Sequence, residues 1–185
     1  MIHLSIAQVV REINAYLNLR SPGISETRVV AGALFDLTGA PNAATRNRIA
    51  AQVVNVEENS VCRSMETHRT RSDGRHERVR PSVRVNLYVL FSANLDDYGE
   101  ALKAVSLIVA FFQNRYAFDI SGNGDGSSRV IFELYSMTFE QQNHLWAALG
   151  AKYSPSVMYK AAIVDIRDVR VDAEVPPVEE ITTEG

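Results

Sequence analysis

Val83, Val85, Leu87, Val89 and Phe91 alternate with Arg84, Asn86, Tyr88 and Leu90, the period-two pattern of a strand with distinct faces. Around this segment the apolar positions change period. Ile2, Ile6, Val9, Val10, Ile13 and Leu17 form one stripe, with Gln8, Arg11, Glu12 and Asn18 opposite, and predict an amphipathic opening helix that Ser21-Pro22-Gly23 ends. Val29 to Phe35, with Gly32 in its middle, predicts a buried strand, and Ile49 to Glu57 a strand of weaker alternation. Asp96 and Asp97 favour a helix start by opposing the macrodipole. The helix that follows runs through Tyr98 to Phe112 on a stripe of Leu102, Val105, Ile108, Val109 and Phe112. Ala101, Ala104, Leu107 and Phe111 widen that stripe beyond what one sheet face needs, which predicts a second packing partner such as another subunit.

Val130 to Tyr135 reads as a further strand, entered from the glycine-rich turn Ser121 to Gly126. Thr138 and Gln141 have capping-box spacing, each able to satisfy a free donor at a helix start. Phe139, Leu145, Trp146, Ala148 and Leu149 then recur at helical spacing, and Gly150 stands where a left-handed cap is wanted. Val157 to Ile166 is the last predicted strand. Trp146, Phe112 and Tyr88 are the expected structural core. The order α-β-β-β-α-β-α-β predicts an α+β fold, a mixed, largely antiparallel sheet with helices packed on it, forming one domain over residues 1–168.

Two polar stretches interrupt the pattern. Residues 59–81 carry Arg63, Arg69, Arg71, Arg75, Arg78 and Arg80 among three acids, and Ser72-Asp73-Gly74 resembles the tip of a long hairpin. Residues 169–185 form a tail broken by Pro176-Pro177, with Glu179 and Glu180 among its acids and no cation after Arg170. The arginine loop reads either as a solvated surface or as a docking element for an acidic protein surface, since guanidinium groups pair bidentately with carboxylates. It lacks the aromatic side chains on which single-stranded nucleic acid stacks, and the net charge of −3 opposes general attraction to phosphate, so a nucleic-acid module is the alternative reading. In a ring, one subunit's acidic tail would lie against its neighbour's basic loop.

Candidate chemistry is sparse. If Gly126 is set as the invariant glycine of a calcium loop, Phe132 falls where a bidentate Glu is required. No Lys-Ser or Lys-Thr follows the glycines as a phosphate loop needs. Cys62, His68 and His76 match no zinc spacing and lie among guanidinium groups. His144 has no nucleophile or acid at a diagnostic distance. Neither a catalytic residue, a cofactor nor a metal site is expected. The lone Cys62 forms no internal disulfide, the first residues lack a signal-peptide pattern, and the longest apolar run, Leu107 to Phe112, is too short to span a bilayer. These features predict assembly in the cytoplasm.

The segments NLYVLFSANLDDYGEALKAVSLIVAFFQ (Asn86 to Gln113) and LWAALGAKYSPSVMYK (Leu145 to Lys160) resemble the cap or tail-terminator proteins of contractile injection systems of the antifeeding-prophage type. VVAGALF after the first helix and VVNVEEN before the loop resemble the same family, so the likeness covers most of residues 1–168. It implies a non-enzymatic homo-hexamer ring on the end of a phage-tail-like particle, terminating and linking its inner tube and sheath. Many relatives continue into a further C-terminal domain, whereas here the acidic tail follows.

Overall fold

The chain threads its hydrophobic alternation into a six-stranded sheet of order β1-β2-β5-β8-β7-β6. This computed structural model describes residues 2–20, 28–36, 38–59, 68–70, 76–78, 83–121, 127–166 and 173–175. Its elements are α1 (Ile2–Arg20), β1 (Val29–Ala31), β2 (Arg48–Glu58), β3 (His68–Thr70), β4 (His76–Arg78), β5 (Val83–Asn94), α2 (Tyr98–Asn114), β6 (Ala117–Ser121), β7 (Ser127–Tyr135), α3 (Phe139–Ala148), β8 (Ser156–Ile166) and β9 (Ala173–Val175). Only the β1–β2 pair in this sheet is parallel, so the sheet is mixed and largely antiparallel. The strand expected over Val29 to Phe35 stops at Ala31. Asn42 and Thr45 then hold the chain in a turn, the Asn42 amide donating to the Ala33 carbonyl at 3.0 Å, and only a bridge to Pro41 remains at Phe35.

Strand β5 lies at the centre, pairing with β2 on one side and β8 on the other. Its period-two pattern feeds two cores. Leu87, Val89, Phe91 and Ala93 join α1 and α2 in the larger cluster, while Leu90 joins Trp146 of α3 and Met158 in the smaller one. The helices therefore divide between the two sheet faces, α1 and α2 on one and α3 on the other.

The apolar width of α2 has an internal explanation. Its buried residues are Ala101, Ala104, Ile108, Phe111 and Phe112, and Leu102, expected on the core stripe, is 46% exposed. Within the chain its second packing partner is α1: the Tyr16 and Phe111 rings meet edge-on at 5.5 Å, and Arg115 pairs with Glu12 at 2.6 Å. Small alanines face inward because two helices and a sheet converge there. Leu102 is the bulky residue left outside.

Asn14, which breaks the apolar stripe of α1, fastens that helix to the sheet. Its side-chain carbonyl accepts from the backbone N–H groups of Arg28 and Val29, each at 2.9 Å, and its amide donates to the Val29 carbonyl at 2.9 Å. Net hydrogen-bond contributions are about 1 kcal/mol, and an orphaned, partly buried backbone group costs about 1–3 kcal/mol. Asn14→Ala should therefore lower the unfolding free energy by about 2–3 kcal/mol, read from urea denaturation. A loss no larger than for an exposed α1 substitution would contradict this.

A second sheet, ordered β3-β4-β9, is built from the arginine loop and the acidic tail. Thr70 pairs with His76 across residues 71–75, and β4 pairs in turn with β9 in the register His76↔Val175, Glu77↔Glu174 and Arg78↔Ala173. The acidic tail thus contributes a strand, placed beside the basic hairpin of its own chain. The order of the small sheet mirrors that of β2, β5 and β8, each of its strands following or preceding one of those three along the chain.

Candidate interaction surface

The residues expected to carry docking fall in and around the small sheet. Arg69 lies in β3 and Arg78 in β4, while Arg63, Arg71, Arg75, Arg80, Glu179 and Glu180 lie outside the described residues. The backbone thus brings part of the basic loop together with the segment of the acidic tail at Ala173–Val175. Sequence reasoning missed β9 as a strand. Its only signal is a valine within an acidic, proline-interrupted run.

The three expected core residues occupy different environments. Phe112 is 3% exposed and sits among the rings of Phe91, Phe111, Phe118, Phe132 and Tyr159. Trp146 is 5% exposed and anchors α3. Tyr88 is half-buried: its ring meets Tyr135 edge-on at 5.0 Å, and its hydroxyl donates to Glu57 at 2.7 Å. That hydrogen bond foremost, with burial and the Glu57 charge, pushes the Tyr88 phenol up to about 12. Burial alone pushes Tyr159 up to about 12.

Both phenols hold their protons more tightly in the folded chain than at their ordinary value of 10.0. Their contribution to stability is thus fully present below about pH 10 and is lost as pH rises through about 12, where the unfolded chain has already released those protons. In an ultraviolet titration Tyr88 and Tyr159 should ionise late, and Tyr88→Phe should remove one of these two late transitions. A Tyr88→Phe titration that keeps the same late transitions would contradict this assignment.

Much of the outer surface is suited to contact. Strand β1 covers β2 only from Ile49 to Ala51, so among the described residues the outer edge of β2 from Val53 to Glu58 has no strand beside it. A register shift between Val53 and Asn55, with Glu57 and Glu58 near the end, marks a managed edge, since bulges and charge discourage indiscriminate pairing. On the other side β6 begins its pairing at Ala117↔Ile131, leaving the end of β7 uncovered where Leu134 and Tyr116 are exposed. Phe139, expected on the inner face of α3, is instead 92% exposed and takes no part in the smaller core. His144 is exposed. Among the described residues no three His, Cys, Asp or Glu side chains gather where a metal ion would bind, and no helix is long and apolar enough to cross a membrane.

The arrangement is thus two helices on one face of a mixed sheet and a short capped helix on the other. The model of the Pvc16 N-terminal domain matches residues 6–180. The chain belongs to the Pvc16 N-terminal domain family. Among solved structures, the anti-feeding prophage cap, described as a tube-terminating cap, is similar over 94% of this chain and 58% of its own, at 17% identity and a TM-score of 0.61. The sheath/tube terminator of the extracellular contractile injection system PVC, in its extended state, is similar over 94% of this chain and 64% of its own, at 15% identity and a TM-score of 0.49. No curated protein matches the chain. This Pvc16 N-terminal domain thus spans less than two thirds of each of those two structures and shares the α+β fold of the first.

Proposed function

We infer that this chain is a structural terminator: it forms a six-fold ring that ends and links the inner tube and sheath of a contractile particle. The observation that carries this reading is the fold likeness to a tube-terminating cap over 94% of the chain, together with the family match over residues 6–180. The physical character of the surface supports it. A ring needs two different patches on each subunit that meet head to tail until the rotation closes. Here the uncovered edge of β2 and the exposed end of β7 lie on opposite sides of one sheet. The work is done by shape, with no catalytic step, and assembly takes place in the cytoplasm.

Negative-stain imaging of the purified chain tests the reading. Six-fold rings are expected, each subunit contact burying on the order of 1,600 Å² or more. The rings should also co-sediment with tube or sheath polymers. Dispersed monomers that ignore both polymers would overturn the proposal. Binding to single-stranded nucleic acid that falls steeply with salt would instead favour the nucleic-acid reading of the arginine loop.

A further inference from the structure

We propose that one water molecule is bound beneath α3, accepting a hydrogen bond from the Trp146 indole N–H and bonded to the Ser92 hydroxyl. The inference goes beyond the ring reading and stands whatever the number of subunits. Ser92 is 1% exposed, and its hydroxyl oxygen has no hydrogen-bond partner among the described residues. The Trp146 indole nitrogen, also shut off from solvent, has none either. Buried polar groups are nearly always bonded, because leaving one unpaired forfeits its hydration without return. Two orphans in one small core therefore call for a shared partner.

Strand geometry puts both groups on the same side of the sheet. Leu90 belongs to the smaller core, while Phe91 and Ala93 belong to the larger one, so Ser92 faces α3 as Leu90 does. Ser92 lies opposite Ala50 in β2 and opposite Ser156 in β8. Ala50 in turn belongs to the cluster that holds Trp146. The next row, Gln52, Leu90 and Met158, is built of long side chains, whereas the row of Ala50, Ser92 and Ser156 is built of short ones. That step leaves depth between the sheet and the indole above it.

The chemistry of these groups selects water. An indole N–H only donates, so its partner must be an acceptor, whereas a hydroxyl both donates and accepts. The backbone around Ser92 is committed to the ladders with β2 and β8. Trp146 and Ser92 do not bond to each other, since each is without a partner. Water accepts from the indole and exchanges hydrogen bonds with the hydroxyls of Ser92 and Ser156, about three bonds, the usual number for a buried water. It thereby fixes the rotation of the Trp146 ring, the sole buried residue of α3, and with it the seating of that helix on the sheet.

Trp146 is the only tryptophan in the chain, so its indole N–H gives a single signal in the NMR spectrum of isotopically labelled full-length protein. A water held for longer than nanoseconds should give that signal a cross peak at the water frequency, of opposite sign in laboratory-frame and rotating-frame experiments. Absence of the peak overturns the site. Ser92→Ala identifies the source. Water still held by Trp146 and Ser156 leaves a weaker peak, whereas loss of the peak would assign it to the Ser92 hydroxyl proton and overturn the site too. Urea denaturation supplies a second reading. Removing a plain orphan relieves its desolvation and raises the midpoint, while removing a partner of the bound water lowers it. A Ser92→Ala midpoint equal to or above that of the unsubstituted chain counts against the water.

Discussion

Phe112→Ala should lower the unfolding free energy by about 3–5 kcal/mol, a large share of the roughly 5–15 kcal/mol that holds a domain together. Phe112 sits where α2 meets the sheet, with ring centroids 4.2 Å from Tyr159, 4.9 Å from Phe132, 5.1 Å from Phe111 and 5.4 Å from Phe91. Removing its ring takes away apolar transfer energy and leaves a cavity bordered by five aromatic neighbours, which are too stiff to collapse into it fully. Chemical denaturation of purified protein measures the loss. Phe112→Leu retains most of the volume and should cost less; if the two variants were equally unstable, ring packing would not be the reason.

Trp146→Ala should cost a similar amount, about 3–5 kcal/mol, but spend it differently. Trp146 is the sole buried residue of α3, held against Leu34, Ala50, Leu90 and Met158 on the face opposite α1 and α2. The larger core does not depend on it. Hydrogen exchange should therefore show the amides of α3 opening first, while those of β5 and β8 keep most of their protection. The capping box, with Gln141 N–H donating to the Thr138 hydroxyl at 3.2 Å and the Gln141 side chain accepting from Thr138 N–H at 3.0 Å, is too small a contribution to hold a ten-residue helix alone. Uniform loss of protection across both faces would show that α3 and the sheet form one cooperative unit.

How far the chain was readable from its residues depended on how many contacts each element makes. The alternation from Val83 to Phe91 was legible because β5 from Val85 to Ser92 lies between two paired strands and its apolar residues feed the two cores. The start of α2 was legible too, Asp97 accepting from Glu100 N–H at 2.7 Å, as was the left-handed turn at Gly150, where φ is 65°. The assignment of faces on α2 was less so. Leu102 was expected inside and Ala101 outside its main stripe, because periodicity ranks residues by hydrophobicity, whereas a helix wedged against both α1 and the sheet needs small residues at the closest approach. Strand β6 went unread because its five residues include Asp119 and have a sheet neighbour on one side only.

The elements of the candidate interaction surface were the least legible. Strands β3, β4 and β9 are three residues each and largely polar, so no hydrophobic period marks them. What could be read was their charge, a basic loop and an acidic tail. That charge gave no sign that the tail pairs with the hairpin of its own chain, since attraction between opposite signs is indifferent to which copy supplies the partner.

The position of β8 has a consequence for biosynthesis. It is inserted between β5 and β7, yet of the six main strands it is the last to be translated. Until Ser156 to Ile166 leaves the ribosome, the nascent chain holds two separate blocks, β1-β2-β5 and β7-β6, each with a raw border where β8 belongs. Closure of the sheet thus waits for its last strand, and a chain cut short before Ser156 would leave both borders open.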